Sequence, residues 1–200
     1  MSNNILPIKY ALMSVYYKDG IVEMAKILQS CNIKILSSGG TAKKLKEAGI
    51  DTKDIAQYTT YPALFGHRVV TLHPKVHGGI LYRRDNEQDV KEAAQHDILD
   101  IGLVVVNLYP VEEALSKNAT MDQVVELTDI GGPTLIRAAA KNHKYVGVVA
   151  DPADYLPVAN EIKQKGGLTL DRRMELAGKV FEVTANYDNK LAQYYRGVHA

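Results

Sequence analysis

The stretch "IKILSSGGTAKKLKEAGI" (residues 33–50) holds an apolar run, a Gly-Gly pair and a helical pattern in succession. IKILS (33–37) reads as a strand. TAKKLKEAG (41–49) reads as a helix that ends in Gly49, a residue suited to the left-handed position after a helix. Strand, tight turn and helix are the unit from which a parallel sheet with helical crossovers is built. The two glycines let backbone approach a ligand closely. The N–H groups that follow them, with the helix dipole, favour an anion. The hydroxyls of Ser38 and Thr41 would add donors. The pattern is neither a dinucleotide fingerprint nor a P-loop, and a bare tight turn is the plain alternative.

Working outward, three more apolar runs look like strands: YALMSV (10–15), LVVVN (103–107) and YVGVVA (145–150). They are continuous rather than alternating, as strands buried on both faces are. Helical patterns separate them. In IVEMAKILQS (21–30), Ile21, Met24, Ala25 and Leu28 form one stripe. Thr120 to Gln123 has capping-box spacing and should open a helix. Asp151-Pro152 offers an N-cap followed by proline at the first helical position. From Thr169 to about Arg196 the pattern is helical, although Gly178 would weaken it. The expected architecture is α/β: a mostly parallel sheet flanked by helices, with a helical C-terminal extension over about 150–200, all in a single domain of residues 1–200.

Composition narrows the function classes. The chain has 200 residues, 46% hydrophobic and 24% charged, with formal net charge +1. No global field recruits nucleic acid or an acidic membrane, so an anionic ligand needs a local cluster of donors. Cys31 is the only cysteine, which excludes an internal disulfide and a cysteine-based zinc cage. MSNNILPIKY lacks the pattern of a secretory signal, and the longest apolar runs are far short of a membrane span. A cytoplasmic protein is expected.

Ligands of open parallel sheets sit outside the carboxyl ends of the strands. Those ends carry Ser14-Val-Tyr-Tyr-Lys18, Ser37 to Thr41, and Asn107-Leu-Tyr-Pro110. Asp129-Ile-Gly-Gly132 opens a helix that carries Arg137 and Lys141. Lys18 would give a phosphate dianion its cation. Each residue also has a plainer reading: Lys18 as a solvated lysine, Asp129 as a helix cap, Tyr109 as a packed aromatic, Asn107 as a turn residue. In "HRVVTLHPKVHGGI" (67–80), His73 and His77 have zinc spacing but lack the intervening glutamate and a third ligand. No metal is expected there. Pro74 should start a short helix to Leu81, with Arg68 and Thr71 in the loop before it.

Six segments in order, "SVYYKDGIVEMAKIL", "ILSSGGTAKKLKEAGI", "HRVVTLHPKVHGGIL", "VVVNLYP", "DIGGPTLIRAAAKNH" and "VVADPADY", resemble inosine monophosphate cyclohydrolase. That family usually forms the N-terminal part of a bifunctional purine biosynthesis protein. The resemblance covers nearly all of residues 9–196. It implies a methylglyoxal-synthase-like fold. It also implies closure of 5-formamidoimidazole-4-carboxamide ribonucleotide to inosine monophosphate with loss of water, without a cofactor. By the same resemblance the substrate is held by Tyr16, Tyr17, Lys18, Ser38, Gly39, Gly40, Thr41, Arg68, Val69, Val70, Thr71, Val106, Asn107, Asp129 and Ile130; Ser14 and Gly131 join them by their places at a strand end and a helix start. Lys141 resembles the proton-transfer lysine. Asp129, Tyr109 and Asn107 complete the catalytic set.

Two departures stand out: Val70 replaces the family's usual lysine, and Tyr16-Tyr17 replaces serine-aspartate. Val70 is expected at a solvated site rim, leaving a developing oxyanion one cation short. Ending at Ala200, the chain is expected to be a stand-alone cyclohydrolase or a piece of a longer protein, with a separate transformylase as partner and a homodimer as assembly. A phosphate-eliminating lyase and a non-catalytic nucleotide-sensing module are the alternatives. One tension is internal: along an unbroken helix from residue 130, Lys141 lies roughly 16 Å from the start, too far to share a small site with Asp129.

Overall fold

Ile101–Val106 is buried at every position, which a strand achieves only when both faces of its sheet are covered. In the computed structural model, which describes residues 5–111, 113 and 119–198, this segment is strand β4 near the middle of a five-stranded sheet. The others are β1 (Tyr10–Ser14), β2 (Lys34–Ser37), β3 (Thr52–Asp54) and β5 (Gly147–Val149). Their order is β3-β2-β1-β4-β5, and every pairing is parallel. The expected parallel α/β sheet is therefore present, with one strand more than the apolar runs suggested.

Helix α1 (Ile21–Ser30) buries the predicted stripe of Ile21, Met24, Ala25 and Leu28. Helix α2 (Gly39–Glu47) starts two residues earlier than its sequence pattern indicates, so both glycines lie in its first turn. Gly49 stops it at φ +76°, the left-handed geometry that favours glycine. Then follow α3 (Ile55–Thr59), α4 (Pro74–Leu81), α5 (Glu87–Gln95), α6 (Met121–Leu127) and α7 (Gly131–Lys141). Thr120 and Gln123 make both bonds of the capping box that opens α6. Asp151 caps the 3-10 turn Pro152–Asp154, which runs into α8 (Tyr155–Lys165).

The last helix, α9 (Leu170–Val198), is continuous through Gly178, whose missing side chain would meet only open space. Helix α8 packs on α1, and α9 packs on α7 and β5. Of the two C-terminal helices, α9 thus lies directly against the sheet, and α8 lies against the flanking helix α1. Among the described residues no helix is long and apolar enough to cross a membrane.

The register places Ser14 beside Val106 and Met13 beside Ser37. The carboxyl ends of β2, β1 and β4 therefore form one edge. Adjacent strands are about 4.8 Å apart, so β2 and β4 frame a gap of about 10 Å, the scale of a small phosphorylated molecule.

Candidate functional site

At the β2 end, Ser38 is extended (φ −146°, ψ 168°) and makes no capping bond. Gly39 takes φ +54°, where a side chain would be strained. The first N–H groups of α2 point outward with no backbone partner in the helix. Lys18 lies over them: a Cβ on Gly40 would come 3.5 Å from Lys18 Cε and 3.9 Å from Nζ. The Lys18 ammonium donates to the Tyr16 carbonyl at 3.0 Å and sits 5.8 Å from the Tyr16 ring centre. An uncapped helix N-terminus with an ammonium beside it offers the donors an anion would need.

Thr41 has another job. Its buried hydroxyl donates to the Val15 carbonyl at 3.1 Å and accepts from the Val15 N–H at 2.9 Å. It ties the start of α2 to the end of β1 and has no proton left for a ligand. Ser37 likewise donates to the Met13 carbonyl at 2.7 Å. Of the two hydroxyls expected to face a ligand, only Ser38 remains uncommitted.

Asn107 follows β4 and is 7% exposed. Its Oδ1 accepts from the N–H groups of Tyr16 and Tyr17 at 2.7 and 3.0 Å. Its Nδ2 donates to the Tyr155 hydroxyl. The side chain is thus spent on holding the Tyr16-Tyr17 turn. Tyr109 is 47% exposed and meets Tyr16 edge-on at 5.5 Å, while Tyr16 meets Tyr17 at 5.1 Å. Tyr17 donates its phenol proton to Glu113 at 3.1 Å. These three rings form a half-exposed aromatic wall between the ends of β1 and β4.

Asp129 closes the other side. Its Oδ1 accepts from the Gly132 N–H at 2.8 Å, and its own N–H donates to the Tyr187 hydroxyl at 2.7 Å. Burial pushes its carboxyl up, opposed by the Gly132 and Gly131 N–H groups. A Cβ at Gly132 would fall 2.2 Å from Asp129 Oδ2 and 2.8 Å from Leu108 Cδ2, so the carboxylate fits only because glycine follows. Thr71 is buried with its Oγ1 against Gly131, 3.0 Å from where a Cβ would stand. That brings the loop of residues 68–71 to the same corner. Ile130 is 59% exposed beside it.

Arg68 is held by Glu126 at 3.3 Å, with both side chains largely exposed. Such a pair contributes about 0–1 kcal/mol, so a ligand can recruit the guanidinium cheaply. Val69 pairs with Leu64 through an isolated antiparallel bridge. Val70 departs from expectation: it is half-buried and packs against the hydrophobic core, not at a solvated rim. The apolar residue fits because its neighbours are apolar. Val70→Lys is therefore expected to lower stability by about 1 kcal/mol in urea unfolding, the long stem leading its charge back to water. A variant as stable as the parent would return Val70 to the rim.

His73 caps α4, its Nδ1 accepting from the Lys75 N–H at 3.1 Å. His77 is half-buried with no partner for Nε2, and burial pushes its pKa down. Among the described residues no three His, Cys, Asp or Glu side chains gather where a metal ion would sit.

Lys141 does not join this cluster. Helix α7 runs unbroken from Gly131 to Lys141, about 15 Å. Asn142 Nδ2 donates to the carbonyls of Ile80 and Tyr82 at 2.7 and 3.2 Å. Arg84 in turn bonds the carbonyls of Gly79 and Ile101, both at 2.9 Å. Ile101 begins β4, so Lys141 stands at the amino edge of the sheet, opposite Asp129. Arg137, a few residues earlier, faces α9, with Phe181 5.6 Å away and Thr184 at 3.5 Å.

Sequence reasoning missed Tyr155 and Tyr187, which reach the site from behind. The only available signal was that a buried tyrosine needs a partner for its hydroxyl.

Residues 20–134 match the family described as an MGS-like domain, and residues 139–200 match the AICARFT/IMPCHase bienzyme. The Bifunctional purine biosynthesis protein PurH of Rhodospirillum rubrum is 49% identical over 193 residues, covering 96% of this chain and 37% of that protein. The PurH of Bacillus subtilis is 45% identical over 194 residues, covering 96% of this chain and 38% of that protein. A solved structure described as "Crystal structure of ForH" superposes with a TM-score of 0.80 at 34% identity, covering 94% of this chain and 98% of that one. The chain spans little more than a third of the length of these curated relatives.

Proposed function

Because this chain belongs to the family of MGS-like domains, we propose that it binds a purine nucleotide along its strand ends and closes the purine ring, as an inosine monophosphate cyclohydrolase. One observation carries the reading. An anion cradle at Lys18 and Gly40 and a carboxyl group held up by burial at Asp129 stand on the same sheet edge, with an aromatic wall between them. The match of residues 139–200 to the bienzyme family supports the choice of reaction.

In this reading the phosphate of 5-formamidoimidazole-4-carboxamide ribonucleotide takes the N–H groups of Gly39 and Gly40, the Ser38 hydroxyl and the Lys18 ammonium. The imidazole lies along Tyr16 and Tyr109. Arg68, released from Glu126, adds a forked donor. Both reacting groups are neighbours on one ring. Holding them in a near-attack geometry supplies much of the acceleration, since effective molarities of such reactions reach about 10⁵–10⁸ M. The carboxamide nitrogen then attacks the formyl carbon and loses a proton to Asp129. That proton passes on to the formyl oxygen, giving a carbinolamine. The C–O bond then breaks as this hydroxyl takes a second proton and leaves as water, while the formamido nitrogen gives up its own proton and forms the C=N bond of the closed ring. A carboxyl with a raised pKa is a stronger base than an ordinary one, which suits it to a weakly acidic amide.

The Tyr109 hydroxyl is the proton donor within reach of the aromatic wall. Lys141 has no part in this proposal, because the length of α7 separates it from Asp129. Asn107 serves by holding the turn. No step needs a cofactor.

The assay is direct: ultraviolet absorbance of the purine ring formed from the formamido substrate. Ring formation supports the proposal. Release of inorganic phosphate would point to a lyase, and binding without turnover to a sensing module. The cytoplasm, a transformylase activity that supplies the substrate, and a homodimeric assembly belong to the same proposal.

Lys18→Ala is expected to weaken inosine monophosphate binding roughly 10- to 100-fold, the worth of a hydrogen bond to a charged group, about 1.5–3 kcal/mol. Turnover of the bound substrate should change little, because the phosphate does not react. Calorimetric titration reads the first quantity and saturation kinetics the second.

A further inference from the structure

The hydroxyl of Tyr155 touches two separate parts of the site. Tyr155 begins α8 and is 1% exposed. Its hydroxyl donates to the Tyr17 carbonyl at 3.2 Å, across 138 residues of sequence. It accepts from Asn107 Nδ2. Its ring lies under the same turn, 3.8 Å from where a Cβ on Gly20 would stand. We propose that Tyr155 is a positioning residue for the nucleotide-binding turn Tyr16–Lys18, acting through Asn107. The inference rests on the cyclohydrolase reading for its substrate, but its geometry is independent of that reading.

The physical argument concerns the direction of an amide. A carboxamide presents an acceptor on one side and a donor on the other. Asn107 must aim Oδ1 at two N–H groups, those of Tyr16 and Tyr17. Turned over, its NH₂ would face two donors and no acceptor. Tyr155 prevents this. Its single proton is committed to the Tyr17 carbonyl, so only lone pairs face Asn107, and only the NH₂ side can answer them. Burial pushes the phenol well above its ordinary pKa, so the proton stays through the working pH range. Asn107 and Tyr155 together satisfy three backbone groups of the turn: two N–H and one carbonyl. Lys18 is the next residue, and its ammonium over Gly40 is placed by that turn.

Tyr155→Phe keeps the buried ring and removes only the hydroxyl. Hydrogen exchange on the free protein should show the Tyr16 and Tyr17 amides exchanging about tenfold faster, with β1 unchanged. Affinity for inosine monophosphate should fall about fivefold for one lost bond of ~1 kcal/mol, or about thirtyfold for two. Turnover at saturation should change less than twofold. Asn107→Leu keeps the side-chain volume and removes the amide, both the Oδ1 that accepts from the turn and the Nδ2 that answers Tyr155. It is expected to give the same faster exchange and weaker binding, and it decides the question if Tyr155→Phe does not fold.

Unchanged exchange at Tyr16 and Tyr17 overturns the inference. So does faster exchange with unchanged affinity, and so does faster exchange that extends through β1, which would mark a general loss of stability. If the parent protein neither binds the nucleotide nor forms the ring, the cyclohydrolase reading falls, and the exchange result alone decides the role of Tyr155.

Discussion

Asp129→Asn is expected to cut turnover roughly 10²- to 10⁴-fold, the usual worth of a positioned general base, while leaving inosine monophosphate affinity within about threefold. The variant keeps an Oδ1 that can accept from the Gly132 N–H, as Asp129 does at 2.8 Å, so the start of α7 should hold its shape. Stability gives an independent check through pH. Burial raises the Asp129 pKa, so its folded-state value lies above its unfolded one. Such a group favours the folded protein most at low pH, and that contribution is lost as pH rises through the folded pKa. Asparagine has no such dependence. Asp129→Asn should therefore match or exceed the parent in urea unfolding at pH 7 and lose that advantage below the carboxylate range. Turnover of the parent should rise with pH through the same raised pKa. Full activity in the asparagine variant would reduce Asp129 to the helix cap its sequence position also suggests.

What could be read ahead of the structure divides along a physical line. The runs around β1, β2, β4 and β5 were legible because strands covered on both faces are apolar throughout. Strand β3 was not. It is the three residues Thr52, Lys53 and Asp54 at the sheet edge, with only Thr52 buried, and three polar residues carry no strand pattern. Helix α5 was missed for a related reason, since it buries only Ala93. The elements of the proposed anion cradle were legible because they are local: a strand end, two glycines and a helix start within a few residues. The uses of Thr41 and Asn107 were not, because their partners lie 26, 48, 90 and 91 positions away and only topology brings them near. Lys141 lies between. Its distance from Asp129 follows from helix rise alone, and the structure adds that the two ends of α7 face opposite edges of the sheet. Val70 misled in the other direction. It stands in the loop between Arg68 and Thr71, yet the chain folds it back onto the core.

Arg173→Ala should lower stability by about 3–5 kcal/mol, the range for leaving buried polar partners unpaired. Arg173 is fully buried, and burial pushes its pKa down. Its guanidinium donates to the His143 carbonyl at 2.8 Å, the Lys144 carbonyl at 3.0 Å and the Leu168 carbonyl. Two of these carbonyls follow the C-terminus of α7, where the helix dipole is negative and a cation is favoured. The third belongs to the segment that meets Leu6 in an isolated bridge. One planar fork thus ties α9, the α7–β5 connection and the N-terminal segment together. Lysine offers a single point of attachment and cannot replace the fork, so Arg173→Lys should recover only part of the loss. Arg173→Met keeps most of the volume without any donor. The difference between the methionine and alanine variants then measures packing, and what remains measures the orphaned carbonyls. The alanine variant should melt about 6–20 °C below the parent, at 2–4 °C per kcal/mol for a chain of this size. At a temperature where it is still folded, inosine monophosphate affinity should be unchanged, because His143 and Lys144 lie at the amino edge of the sheet, away from Lys18 and Asp129. A loss of affinity in the folded variant would show that the C-terminal helix shapes the site as well as the core.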